Sequence, residues 1–338
     1  MLSLYKLWRS NLKKIGFTTS IPVEVIYAAG LMPVDLNNIF VISESPSAFV
    51  EKAESYGFPR NTCAWIKGIF SAIMATEDLN TIISVVEGDC SNTRALAEVL
   101  SLNNIKCIPF SYPHSRRYTM LKNEIEVLCK LFNVTLGDCL KVKKQLDTIR
   151  KRLLYLDELT WKHNKASGFE NHLWQVSSSD FNSNLSLFAS QLETVIELAE
   201  KRNEKNQKVR LGYIGVPPIF AEIYDFVEEH DARFVYNEVQ RQFTMAHGID
   251  NDDIVEVYRQ FTYPYDLNGR LEDIKKQIEL RKIDGIVHYT QAFCFRGIED
   301  IVIRKELGVP VLTLEGDRPG GLDARTKLRV ESFIEMLK

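Results

Sequence analysis

Apolar and polar positions alternate most clearly in the last third of the chain. Ile286-Val287-His288-Tyr289 reads as a buried strand opened by Asp284-Gly285. A helix is expected over residues 297–307, and the Gly308-Val309-Pro310 turn delivers the chain into a second strand at 311–314. A last helix begins near Leu322. The region before it has the same rhythm, with strands at 209–214 and 233–237 around a helix at 219–230, then a helix at 271–281. Near the N-terminus, the β-branched run 81–86 and residues 105–110 read as strands on either side of a helix capped by Ser91 or Asn92. A helix over 64–76, capped by Asn61 or Thr62, puts Cys63 in its first turn. The spacing of 23–29 predicts a short helix with Pro22 in its first turn and Gly30 closing it, and 32–36 reads as a strand edge. Residues 1–20 read as a short basic helix, and 116–205 as mainly helical.

These elements predict an α/β protein with two lobes of similar layout, 1–115 and 206–338, joined by the helical segment 116–205. Two such lobes facing each other form a cleft, and the loops after their strands meet there.

Composition narrows the function. Of 338 residues, 45% are hydrophobic and 26% charged, the profile of a soluble globular protein. The net charge of -3 favours neither nucleic acid nor an anionic membrane surface. No apolar run reaches the roughly 18 residues of a membrane span, and residues 1–9 lack a signal peptide's apolar core, so a cytoplasmic location is expected. Along 141–152 the basic residues alternate with Val142, Leu146 and Ile149, which reads as an amphipathic helix with a solvated basic face. Asp317, Arg318, Asp323 and Arg325 read as an ion-pair network at the last helix.

The chemistry lies in the cysteines. There are six: Cys63, Cys90, Cys107, Cys129, Cys139 and Cys294. In a cytosolic chain of this length they are buried fillers, nucleophiles or metal ligands rather than disulfides. Cys63, Cys90 and Cys294 fall where a strand or loop meets a helix, and free N–H groups there favour a thiolate. Cys107, Cys129 and Cys139 read as packing. Three thiolates on one metal centre leave a coordination position open for water or substrate, whereas three buried fillers leave nothing to explain. Glu24 is a candidate acid/base group, against the plainer reading of a helix-capping carboxylate.

Several segments together carry a resemblance. They are Pro22-Val23-Glu24-Val25-Ile26-Tyr27-Ala28-Ala29-Gly30, the Cys63 and Cys90 junctions, residues 210–216 and 284–294, and the end of the chain from Gly308 through Glu315-Gly316-Asp317 to residues 325–336. In their order and spacing the chain resembles the 2-hydroxyacyl-CoA dehydratase D-component family, which includes benzoyl-CoA reductase subunits and double-cubane cluster proteins. The resemblance implies two Rossmann-like lobes with parallel sheets and an iron–sulfur cluster in the cleft, most simply [4Fe–4S], held by Cys63, Cys90 and Cys294. It implies an ATP-dependent activator ATPase that delivers a low-potential electron, a homologous subunit or second copy as dimer partner, and a small-molecule, acyl-CoA substrate dehydrated or reduced by radical chemistry. Glu24 is then the proton-handling candidate. A double-cubane reductase of small molecules, or a metal-free two-lobed binding or scaffold protein, is the alternative. One departure is local: Asp89 precedes Cys90 and Ser91 follows it, where the family commonly has an aspartate after the cysteine.

Overall fold

The computed structural model describes residues 13–338. Its eight strands are β1 (Lys14–Phe17), β2 (Met32–Asp35), β3 (Thr81–Glu87), β4 (Lys106–Ser111), β5 (Val209–Gly215), β6 (Ala232–Asn237), β7 (Gly285–Gln291) and β8 (Val311–Gly316). They form two all-parallel sheets, ordered β2-β1-β3-β4 and β6-β5-β7-β8. The two orders are the same, and helices cover both faces of each sheet, so the chain folds as two Rossmann-like lobes.

Burial follows the period of two expected of a strand. Ile83 and Val85 face the large helical layer with Leu121, Ile125 and Leu153, while Ile82 faces helix Ala64–Ala75 through Ile66 and Ile69. In the second sheet Tyr213 and Val287 pack against the C-terminal helix Ala324–Leu337, and Ile214 and Ile286 pack against helix Leu267–Arg281.

Several expectations are corrected. Lys14–Phe17 is a strand between β2 and β3, not the end of a basic helix, because Ile15 and Phe17 are wholly buried between layers. The rest of that expected helix, residues 1–12, lies outside the described residues. The helix after β5 starts only at Ile223, since Pro217 and Pro218 hold the preceding chain extended. After Cys294 a 3-10 turn, Phe295–Glu299, precedes the helix Asp300–Glu306. The basic stretch in helix Leu136–Trp161 is not solvated throughout: Lys143 and Arg150 are buried and paired with Asp147. Asp323 caps the last helix through the Thr326 N–H, and Arg318 reaches Glu54 of the other lobe at 2.6 Å, so the expected local network does not form.

The chain between β6 and β7 returns to the first lobe. Helices Glu238–Phe243 and Ile254–Gln260 place Val239, Val257, Tyr258 and Phe261 in the first lobe's core. Helix Leu267–Arg281 follows and is anchored by a buried fork: Arg270 donates to both carboxylate oxygens of Glu238 at 2.6 and 2.9 Å. The same carboxylate accepts the Gly215 N–H at 2.9 Å, so one buried ion pair fixes the end of β5.

Two glycines shape the loops at the carboxyl edges. Gly88 follows β3 and Gly215 ends β5, both at φ 93°. A Cβ on Gly215 would stand 2.2 Å from the Tyr289 carbonyl oxygen, and one on Gly88 2.8 Å from the Pro264 carbonyl oxygen. Backbone atoms cannot step aside as a flexible side chain can. Gly215→Ala is therefore expected to lower the unfolding free energy by about 3 kcal/mol, strain and overpacking combined. Urea unfolding followed by far-UV circular dichroism measures this, and a loss below about 0.5 kcal/mol contradicts it.

Candidate functional site

The loops after β1, β3, β5 and β7 converge on one cavity of about 350 Å³. In each lobe this is where the strand order reverses, between β1 and β3 and between β5 and β7, so successive crossovers leave in opposite directions and open a crevice. The first lobe supplies Thr18, Thr19, Ser20, Asp89 and Cys90; the second supplies Val216, Ile219 and Cys294. Helix Gly168–Ser177 closes one side with Phe169, Leu173 and Val176.

Cys63, Cys90 and Cys294 all line this cavity. Cys63 is itself the N-cap of helix Ala64–Ala75 rather than a first-turn residue capped by Asn61 or Thr62. Cys294 likewise caps the turn Phe295–Glu299, and Cys90 stands just before Ser91, the N-cap of helix Asn92–Ser101. Each sulfur has the backbone N–H two residues on turned toward it: Trp65 for Cys63, Asn92 for Cys90 and Arg296 for Cys294. These N–H groups favour the thiolate, although Cys63 and Cys294 form no side-chain cap hydrogen bond as neutral thiols.

Burial dominates the electrostatics. It pushes the Cys63 thiol up to about 12 and Cys90 up to about 11, and raises Cys294. The charges also feel one another, Cys63 with Cys90 and Cys294, and Cys90 with Cys294. Such thiols keep their protons and are poor nucleophiles unless a cationic centre displaces the protons. Burial raises Asp89 to about 6, against the pull of the Arg296 guanidinium. It lowers His172 to about 3, leaving a neutral ring beside Gln240 at 3.0 Å.

The three cysteine sulfurs are the soft donors of this cavity. Among the described residues no three His, Cys, Asp or Glu side chains gather closely enough to hold one metal ion. A cluster spreads its thiolate ligands over several metal atoms, so they stand farther apart. The remaining cysteines lie elsewhere. Cys107 is in β4 with its sulfur directed at the Ala97 carbonyl, while Cys129 and Cys139 face each other at 3.8 Å in the helical layer.

Glu24 is not among the cavity-lining residues. Its side chain is wholly buried in the first lobe, accepting from Arg150 at 2.9 Å and from the Tyr258 hydroxyl at 2.7 Å. What the sequence reading missed is the polar rim. Thr18-Thr19-Ser20 follows β1, where the sequence predicts a helix, and Asp35 ends β2 with Asn37 and Asn38 just beyond it. The Ile15–Phe17 alternation was the available signal. Ser20 and Thr93 are buried on this wall, and neither hydroxyl has a hydrogen-bond partner.

With this geometry in view, the chain was compared with known proteins. The model of the 2-hydroxyglutaryl-CoA dehydratase, D-component, matches residues 18–337. The chain belongs to that family. No individual curated protein matches it. Membership in the 2-hydroxyglutaryl-CoA dehydratase D-component family makes the chain a dehydratase-type enzyme subunit, and the match takes in both lobes and all three cavity cysteines. Among the described residues no helix is long and apolar enough to cross a membrane.

The Glu24–Arg150 pair yields a stability expectation. Removing the carboxylate strands a buried guanidinium that Asp147 only partly satisfies. Glu24→Ala should cost about 3–5 kcal/mol of unfolding free energy. Denaturant titration of the purified variant tests it, and an unchanged midpoint would show that Arg150 finds other solvation.

Proposed function

We propose that this protein is an iron–sulfur redox subunit of the 2-hydroxyacyl-CoA dehydratase type, with Cys63, Cys90 and Cys294 as the cluster ligands. The observation that carries the reading is the repeated arrangement at the cavity: three cysteines on three separate loops, drawn from both lobes, each with the N–H two residues on turned toward its sulfur. Ordinary packing gives no reason for that repetition, and the three cysteines outside the cavity lack it.

A bound [4Fe–4S] cluster with three protein ligands supplies a low-potential electron and an iron position open to a substrate oxygen. The chain's own residues set the conditions. The backbone N–H groups stabilise the thiolates, and the apolar wall of Phe169, Leu173 and Val176 keeps bulk water away and the local dielectric low. The polar rim from Thr18 to Ser20 and from Asp35 to Asn38 offers donors and acceptors to a substrate's hydroxyl and carbonyl. On this reading an ATP-dependent activator ATPase is the electron donor, and a homologous subunit or a second copy completes the working dimer. With only three cysteines on the cavity, an eight-iron double-cubane would need thiolates from another chain.

Protein prepared without oxygen should carry about four iron and four sulfide per chain with broad visible absorbance. Cys294→Ala should lose that iron and absorbance while its far-UV circular dichroism stays unchanged, and Cys107→Ala should keep both. Full iron retention in Cys294→Ala would remove it from the ligand set.

A further inference from the structure

Away from the cavity, two thiols meet in the first lobe's helical layer. Cys129 lies in the last turn of helix Tyr118–Leu131, and Cys139 in the first turn of helix Leu136–Trp161. Their sulfurs stand 3.8 Å apart, and the two residues are 3% and 0% exposed. Neither lines the cavity. The turn between the helices pins both backbones. The Val134 N–H donates to the Cys129 carbonyl at 3.0 Å, and the Cys139 N–H donates to the carbonyl of the next residue, Thr135, at 3.1 Å. Thr135 and Asp138 cap the start of the second helix reciprocally, and Asn133 ends the first in the left-handed region at φ 56°. The two sulfurs are thus held together by a local hairpin rather than by two independent elements.

The contact also prepares one sulfur for reaction. Donation from the Cys139 S–H draws the Cys129 thiol below its ordinary range, and the same contact raises Cys139. A thiolate is favoured on one sulfur with a second thiol beside it to resolve the first oxidation product. Burial limits the oxidant to a small molecule. In a reducing compartment such pairs serve as transient, oxidant-sensing bonds rather than permanent ones.

We propose that Cys129 and Cys139 form a redox-sensitive pair that hydrogen peroxide closes to a reversible disulfide, clasping the helical hairpin. The Cys129 thiolate attacks one peroxide oxygen and the O–O bond breaks. Cys129 becomes a sulfenic acid, and the departing hydroxide takes up the proton that Cys129 had released. Cys139 then attacks the oxidised sulfur. The S–O bond breaks, the S–S bond forms, and the oxygen leaves as a second water with the Cys139 proton. The two sulfurs give up two electrons, which peroxide accepts, and a dithiol reverses the bond by exchange. Rotation about χ1 on both sides supplies the approach from contact to the bonded separation of about 2.05 Å. The clasp sits at the start of the helix that carries Arg150 and Asp157, so it holds that helix to its neighbour while oxidant is present.

Protein prepared without oxygen is treated with a small excess of hydrogen peroxide, quenched with iodoacetamide and digested with trypsin without reductant. Cleavage after Lys122, Lys130 and Lys141 puts the two cysteines on adjacent peptides, 123–130 and 131–141. Mass spectrometry should find these peptides joined in most of the protein, and separate again after dithiothreitol. Cys294→Ala protein should form the same link, which distinguishes it from oxidation at the cavity. In that background the thermal midpoint of the linked form should lie about 2–5 °C above the reduced form, and adding Cys139→Ser should abolish the rise. Both thiols still alkylated after peroxide, Cys129 joined to any other cysteine, or a midpoint that does not rise would overturn the proposal.

Discussion

A parallel sheet whose first strand lies inside it must send successive crossovers in opposite directions, and that constraint governs this molecule. In both lobes the reversal falls between the two central strands, β1 and β3 in one and β5 and β7 in the other. The chain cannot fill the gap left at the carboxyl edge, because the loops on either side diverge. With the two edges turned toward each other, their gaps merge into one space lined by both halves of the protein. Gly88 and Gly215 take the tight left-handed turn that lets each loop leave its strand beside another backbone.

Buried charge holds those edges in place. Glu238 ties Arg270 to the last amide of β5. Arg281 grips Asp157 of the long helix with two donors and the Val235 carbonyl of β6 with a third contact. Glu24 links Arg150 to Tyr258, a residue far along the chain. Such pairs add little net stability over apolar packing, because desolvation offsets most of the attraction. They do penalise any arrangement that separates the partners, so they fix how the late segment from Glu238 to Gln260 seats on the first lobe.

This also explains what could and could not be read from the chain. Strands such as β3, β5 and β7 were legible because both faces are covered and their apolar runs are nearly continuous. β1 was not, since four residues among lysines show only Ile15 and Phe17 as a signal. Lys143 and Arg150 read as part of a solvated face, and Glu24 as a proton-handling or helix-capping carboxylate, because a sequence shows charge but not the partner that permits its burial. At the site, the strand-to-helix position of Cys63, Cys90 and Cys294 was visible. Their sharing of one cavity followed from the two-lobed layout and the family resemblance rather than from spacing along the chain, because Cys63 and Cys294 are joined only through tertiary structure. Helix Gly168–Ser177 was expected as a helix, but nothing in its pattern marked Phe169 and Leu173 as a cavity wall rather than ordinary core.

The polar groups of the cavity and much of its apolar lining have separate structural origins. The polar groups after β1 and at the end of β2 serve strand and helix ends: the Thr18 hydroxyl accepts the Val85 N–H, and Asp35 caps the next helix through the Asn37 N–H. The helix Gly168–Ser177 and the proline-bearing turn after β5 add Phe169, Leu173, Val176, Val216 and Ile219 to an apolar lining that the first lobe also supplies through Val41, Ile42, Trp65, Ile66 and Ile69. Cys90 and Cys294 arise from different lobes, one beside Asp89 and one between Phe293 and Phe295. A group held by both would join the two lobes at the carboxyl edges of their sheets, where the crossovers part.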